Sequence, residues 1–350
     1  MPRRHLFAAG LSLSALAGII PGAQAQTTAA EAAIPAAGTQ VGNGRFERAV
    51  GPTIVNRGSE LYSFSSFKID SADGQRHYWV QIAVPKRAAP ARGYPVLYMV
   101  DGNAAMGLIS DPELEALYIL SPPVLVAIGY DTAARVDTLA RAYDYTPPVI
   151  QDGKPIAPVV RGRPGGGADI FAHFIEQQIK PRVEAMAKID RQRQTLWGHS
   201  FGGLFTLYTL RNHPEFYQRY AAGDASLWYH DGELVSDIIA TPPHALNGRV
   251  LRMMSGGGRD ATRTAAPAGA GTAAPTQAPP SPATPQAPRQ PDTSRGVPRL
   301  PDATERVVAA FGQAGAQIEY RQFPGLSHGE MMRASLIPAL MLAARPDAGE

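Results

Sequence analysis

The stretch Gly198-His199-Ser200-Phe201-Gly202-Gly203 constrains this chain more than any other. It has the form G-x-S-x-G, with one more glycine behind it. Such a pattern lets a serine sit on a tight, strained strand-to-helix turn with its hydroxyl clear of the backbone, because the small flanking residues avoid collision. The flanks agree: Thr195-Leu196-Trp197 reads as a brief strand, and Leu204 to Leu210 has helical character. A glycine-rich turn that merely carries a capping serine would not need glycine on both sides. Ser200 is therefore the candidate nucleophile. The amide of Phe201, at the start of the helix, is a candidate donor to an oxyanion.

The elements around this motif alternate. Leu61 to Ile69 and Tyr78 to Val84 flank Asp73-Gly74 and read as an antiparallel hairpin. Pro95 to Val100 and Val124 to Ile128 are nearly continuous apolar runs, as expected of strands buried on both faces. Ile170 to Lys188 has helical spacing, which Pro181 should kink or split. Val250 to Met254 and Ile318 to Phe323 read as later strands. Between them Asp302 is expected to cap a helix, with Glu305 completing a capping box. A hairpin followed by alternating strands and helices predicts a mostly parallel central sheet with helices on both faces and an N-terminal antiparallel hairpin, and the serine motif between strand and helix makes this an expected α/β-hydrolase fold. That domain is expected over residues 45–345. Ahead of it, residues 1–25 show a positive start at Arg3-Arg4, an apolar stretch and Ala23-Gln24-Ala25, the order of an export signal of Sec or twin-arginine type, expected to be cleaved, with an uncleaved anchor as the alternative. The protein is then periplasmic or secreted, with a flexible leader at 26–44. Residues 262–301 hold ten prolines and few large apolar side chains, and are expected to be a disordered surface insertion.

Composition removes several function classes. There is no cysteine, so neither disulfides nor thiolate metal sites can form, and no metal or cofactor is expected. The net charge is +3, with lysines and arginines scattered, so no basic block points to nucleic acid. The partner expected is a small-molecule ester.

A hydrolase of this fold orders its residues as serine, acid, histidine, with the histidine after the last strand. Of eight histidines only His328 follows Ile318 to Phe323, in a loop flanked by Gly325 and Gly329, so it is the candidate base. His199, inside the motif, is expected to point away. Asp260, in the loop after Met254, is the candidate acid, ahead of Asp224 and Asp302. A Ser–His dyad without an acid stays open beside it. The second oxyanion donor is expected in Asp101-Gly102-Asn103, at the amide of Asn103.

Several segments resemble the esterase branch of the α/β-hydrolases, and within it the catecholate siderophore esterases that open enterobactin and salmochelin trilactones. They are Val96 to Asn103, Arg141-Ala142-Tyr143-Asp144-Tyr145-Thr146-Pro147, Trp197 to Phe205, Ala225-Ser226-Leu227-Trp228-Tyr229 and Pro324 to Gly329. The resemblance implies a cofactor-free serine esterase acting on serine-ester linkages of a catecholate siderophore. In it Arg141 would hold the anionic, ferric catecholate, and Trp228 and Tyr229 would offer stacking walls. It also implies that periplasmic members use a Ser–His dyad. The 262–301 insertion departs from the family pattern. Other readings of the same motif are a feruloyl-type or short-chain esterase, an acyltransferase, or a catalytically silent binding protein on this scaffold.

Overall fold

The computed structural model describes residues 48–160, 162–241, 245–256 and 302–346. The expected signal, leader and 262–301 insertion, and Asp260, lie outside the described residues. Eight strands form the main sheet: β1 (Tyr62–Asp70), β2 (His77–Pro85), β3 (Tyr94–Met99), β4 (Val124–Tyr130), β5 (Ile189–His199), β6 (Arg219–Gly223), β7 (Val250–Gly256) and β8 (Gln317–Phe323). Their order across the sheet is β1-β2-β4-β3-β5-β6-β7-β8. β2 runs against both neighbours, and the pairings from β4 through β8 are parallel. The helices used below are α1 (Gly102–Met106), α2 (Ala140–Tyr145), α3 (Ala168–Phe174), α4 (Lys180–Met186), α5 (Phe201–Asn212), α6 (Ala303–Gln313) and α7 (Met331–Ala343). Among the described residues no helix is long and apolar enough to cross a membrane.

Side chains on a strand alternate between its faces, and both faces of this sheet are covered. Val96 and Tyr98 of β3 and Leu196 of β5 belong to one buried cluster, with Phe171, Leu204, Phe205 and Phe311. Leu97, Met99 and Trp197, one residue along, belong to the other, with Met331, Leu336 and Leu340 of α7. This explains why the central strands read as unbroken apolar runs.

Three local features differ from the sequence reading. The brief strand expected at Thr195-Trp197 is the end of the 11-residue β5. The helix expected over Ile170 to Lys188 is split beside Pro181 as expected, but the break is a π turn at Ile175–Ile179, with Pro181 in the first turn of α4. There its missing N–H costs least. Asp302 adopts a left-handed conformation at φ 60° and makes no side-chain cap to α6. Glu305 instead accepts a hydrogen bond from the Tyr320 hydroxyl at 3.2 Å, so the capping box does not form.

A buried carboxylate fixes the segment behind the nucleophile. Asp144 of α2, 1 % exposed, accepts hydrogen bonds from the Tyr78 and Tyr130 hydroxyls, each at 2.9 Å. Arg76 Nε lies 3.0 Å from its other oxygen. Asp144→Ala takes the acceptor from the buried Tyr78 and Tyr130 hydroxyls and leaves Arg76 only the more exposed Asp73, 3.0 Å away, and should cost about 1–3 kcal/mol. Urea denaturation reads that loss. The double replacement Asp144→Leu with Arg76→Met should recover only part of it, because the Tyr78 and Tyr130 hydroxyls still lack their acceptor.

Candidate active site

The serine motif sits where the topology needs it, at the junction of β5 and α5. Ser200 has φ 61° and ψ −117°, a strained conformation for a residue with a side chain. Its amide donates to Gly223 O at 2.9 Å, which straps the turn to the end of β6. Strand and helix approach so closely that a Cβ on Gly198 would lie 2.2 Å from Gly202 O. One on Gly223 would lie 2.1 Å from Ser335 Oγ. These contacts are the reason for glycine at both positions.

The Ser200 hydroxyl lies 2.9 Å from His328 Nε2, and His328 Nδ1 lies 2.5 Å from Asp224 Oδ2. Serine, imidazole and carboxylate are thus in one hydrogen-bonded line. The candidate base reaches the nucleophile from the loop after β8, as its place in the chain suggested. The acid partner differs from the expectation. Asp260 lies outside the described residues, and Asp224, in the loop after β6, occupies the position at His328. Asp224 is well held: its amide donates to Met254 O at 2.7 Å, and its Oδ1 accepts from the Gly256 amide at 3.0 Å. Burial alone would raise its pKa, but the hydrogen bonds from His328 and the Gly256 amide outweigh it and hold the carboxyl below its ordinary value. A carboxylate so placed can fix the tautomer of the imidazole and stabilise the imidazolium.

Two contacts here were not read from the sequence. His199 does not point away: its Nε2 lies 2.9 Å from His328 O, and the two rings are 4.7 Å apart. It braces the loop that carries the base. Burial, together with the neighbouring His328 and Arg141, lowers its pKa to about 3, so it is neutral and can donate from Nε2. Its place beside the serine in the motif was the available signal. Ser226, buried, sets its hydroxyl 3.2 Å from that of Ser200.

The remaining candidates take different positions. Phe201 opens α5, and no side chain caps that helix end. Asn103 lies in α1, and its side chain ties the end of β4 to the loop behind it. Its Oδ1 accepts from the Tyr130 amide at 3.0 Å, and its Nδ2 donates to the carbonyls of Tyr130 and Thr132. Arg141, expected as an anion holder, makes a bidentate pair with buried Asp101, with Nε and Nη2 each at 2.8 Å. It also lies 5.4 Å over the Phe201 ring. Trp228 is half-buried and lines a cavity of about 420 Å³ together with Asp224, His328, Ser255, Asp302, Glu305 and Tyr320. Tyr229 is buried, and its hydroxyl donates to Pro147 O at 3.0 Å, which packs it away from that cavity.

This strand order, with a strained serine between a parallel strand and the helix after it, defines a serine hydrolase of the α/β-hydrolase class. The sequence pattern of the family described as "Putative esterase" matches residues 71–277, and the chain belongs to that family. It is 42% identical over 209 residues to the apo-salmochelin esterase of Escherichia coli O6:H1, covering 60% of this chain and 65% of that one. It is 37% identical over 171 residues to the ferri-bacillibactin esterase BesA of Bacillus subtilis, covering 46% of this chain and 58% of that one. The matched stretches therefore span less than two thirds of either relative. A solved structure of the enterobactin hydrolase IroE in complex with DFP superimposes with a TM-score of 0.64 at 33% identity, covering 85% of this chain and all of that one.

The depressed pKa of His199 has a consequence for stability. The unfolded chain takes up a proton near the ordinary histidine value of 6.5, while the folded chain resists until about pH 3. The stabilisation is thus full above pH 6.5 and is lost as pH falls towards 3, with a slope approaching about 1.4 kcal/mol per pH unit. Denaturation curves measured across this range should show that slope. In His199→Gln the share from this one proton should disappear.

Proposed function

We propose that this protein is a serine esterase that opens the ester linkages of siderophores. The observation that carries the reading is the hydrogen-bonded line from Ser200 through His328 to Asp224, on a strained serine turn. Ser200 Oγ attacks the ester carbonyl while its proton passes to His328 Nε2. The amides of Phe201 and Asn103 donate to the oxyanion. The tetrahedral intermediate collapses, and the leaving alkoxide takes the proton from Nε2, so an acyl-serine and a free alcohol remain. Water then repeats the sequence, losing its proton to His328 and releasing the acid. Asp224 holds the imidazole throughout. The charged start, apolar stretch and Ala23-Gln24-Ala25 of the first 25 residues support export of the protein.

With Asp224→Asn, kcat on p-nitrophenyl butyrate should fall by about 10³–10⁴-fold with little change in KM, since the imidazole tautomer is no longer fixed. Asp260→Asn should change it by less than about fivefold. The reverse pattern would return the acid's role to Asp260, and small effects of both would favour a dyad.

The names of the relatives, together with the size of the cavity beside His328, support a siderophore as substrate. Its electrostatics favour the metal-free form. Arg141 is neutralised by Asp101, while the cavity presents the carboxylates of Asp302 and Glu305 and the hydroxyls of Ser255 and Tyr320. Such a wall suits neutral catechol hydroxyls better than an anionic ferric complex. The expected result is a kcat/KM on a metal-free catecholate trilactone at least about fivefold above that on its ferric complex. A preference for the ferric form would overturn the electrostatic argument. Cleavage of the p-nitrophenyl ester without any lactone cleavage would keep the esterase and remove the siderophore.

A further inference from the structure

Two groups of three metal-ligating side chains come together among the described residues, and one of them is the site already described, with His199, Asp224 and His328. The other is Asp169, His173 and His213. Asp169 and His173 stand four residues apart on α3 and so share one face of it. His213 arrives from the far end of α5, where it is the C-cap residue. Its Nε2 lies 2.7 Å from Asp169 Oδ1, and His173 Nε2 lies 3.9 Å from Asp169 Oδ2. The two imidazole rings meet edge to face at 4.7 Å, and one ligand atom from each residue lies within 4.8 Å of the others.

We propose that these three side chains bind a divalent transition-metal ion of borderline softness, zinc in the first place. Two imidazoles and one carboxylate are a ligand set that zinc accepts with water in the fourth position. Bond lengths of about 2.0–2.2 Å would bring the ligand atoms to about 3.3 Å from one another, so closure needs shifts on the order of an ångström. The parts that must move are the more exposed ones, and His213 is the more firmly held. Asp169 and His173 are 46% and 42% exposed at the side chain, and His213 is 14% exposed. The His213 ring stacks on Phe216 at 4.8 Å and 9°, and its carbonyl accepts a hydrogen bond from the Tyr220 hydroxyl at 3.1 Å.

An outer layer of partners is also present. The Tyr208 hydroxyl donates to Asp169 Oδ1 at 3.3 Å. On the other side of the His213 ring, Nδ1 lies 4.0 Å from Glu215 Oε1, too far for a hydrogen bond, and the exposed Glu215 side chain would have to close by about an ångström to orient the imidazole. Asp169 and His173 line an open cleft of about 870 Å³, which gives an ion a way in. The absence of cysteine set the expectation of no metal, and His213 lies 44 residues beyond Asp169, so the three ligands form no short motif. The 12-residue α5, about 18 Å long, separates this cluster from Ser200, so the ion acts as a clasp between α3 and the end of α5 and takes no part in the ester chemistry.

The test uses the full chain, stripped with a chelator and titrated with zinc alone by calorimetry, and with cobalt(II) by visible absorption. The expected result is one equivalent of zinc, a thermal midpoint that rises with zinc concentration, and a cobalt spectrum of low-symmetry four- or five-coordination. His173→Ala and Asp169→Asn should each weaken binding at least tenfold and remove the spectrum, while labelling of Ser200 by a fluorophosphonate is unchanged. His77→Ala and His230→Ala probe the His77–Asp70 and His230–Glu233 pairs as competing sites, and should leave binding as it was. No binding at millimolar zinc, or equal binding in Asp169→Asn and His173→Ala, would overturn the proposal and leave a hydrogen-bonded His213–Asp169 pair beside a neighbouring histidine.

Discussion

The close crossing of β5, α5 and the end of β6 is the constraint on which the site depends. The chain reverses over a single residue there, and only Ser200 carries a functional side chain at the crest. Backbone comes within van der Waals contact of backbone at Gly198, and of the α7 side chain Ser335 at Gly223. The strain at Ser200 is held by its surroundings: its amide is bound by Gly223 O, and its carbonyl accepts from the amides of Leu204 and Ser226. A residue tied at both ends cannot relax, so its hydroxyl points toward His328 before any substrate arrives. Preorganisation of this kind removes reorganisation from the chemical step.

Charge in the surrounding layer serves position more than recognition. Asp101 sits at φ 52° at the mouth of α1, and Arg141 from α2 grips it with both forks. One residue-triplet along, Asp144 gathers Tyr78, Tyr130 and Arg76. The segment Arg141 to Pro147 thus joins β2, β4 and the β3–α1 turn into one rigid unit under the oxyanion region. A buried ion pair adds little net stability over an apolar pair of the same size, but it specifies which surfaces meet. That division explains why a segment rich in charge and aromatic rings lies beneath the site and not on its rim.

Much of this architecture was legible because central strands and the serine turn carry strong signals. The apolar runs at β3 and β4 are short and rich in β-branched residues, as buried strands are, and the glycines around Ser200 fit one tight turn. The carboxylate found beside His328 is Asp224 and not the Asp260 expected from the sequence, and the difference has a physical reason. β6 is only Arg219-Tyr220-Ala221-Ala222-Gly223, too short, and with too few β-branched or large apolar residues, to show a strand pattern. Without a strand pattern there, the loop that carries Asp224 has no sequence mark of a strand end, whereas Asp260 follows the clear strand signal at Val250 to Met254. Tertiary pairing of β6 between β5 and β7 is what brings Asp224 to the site, and pairing is invisible in local sequence. The π turn before Pro181 and the left-handed Asp302 escaped for the same reason, since each answers to packing and not to propensity.

The His328 side chain is 52% exposed, with Asp224 behind it at 22%. An imidazole so open to solvent exchanges its proton with bulk water, and the deacylating water needs no channel to reach it. Any small alcohol enjoys the same access. In the proposed cycle the acyl-serine therefore partitions between acceptors according to their concentration and nucleophilicity, and in concentrated glycerol or methanol transesters should accumulate beside the free acid. A site shaped in this way selects through the acyl group it can hold, and leaves the choice of acceptor to the medium.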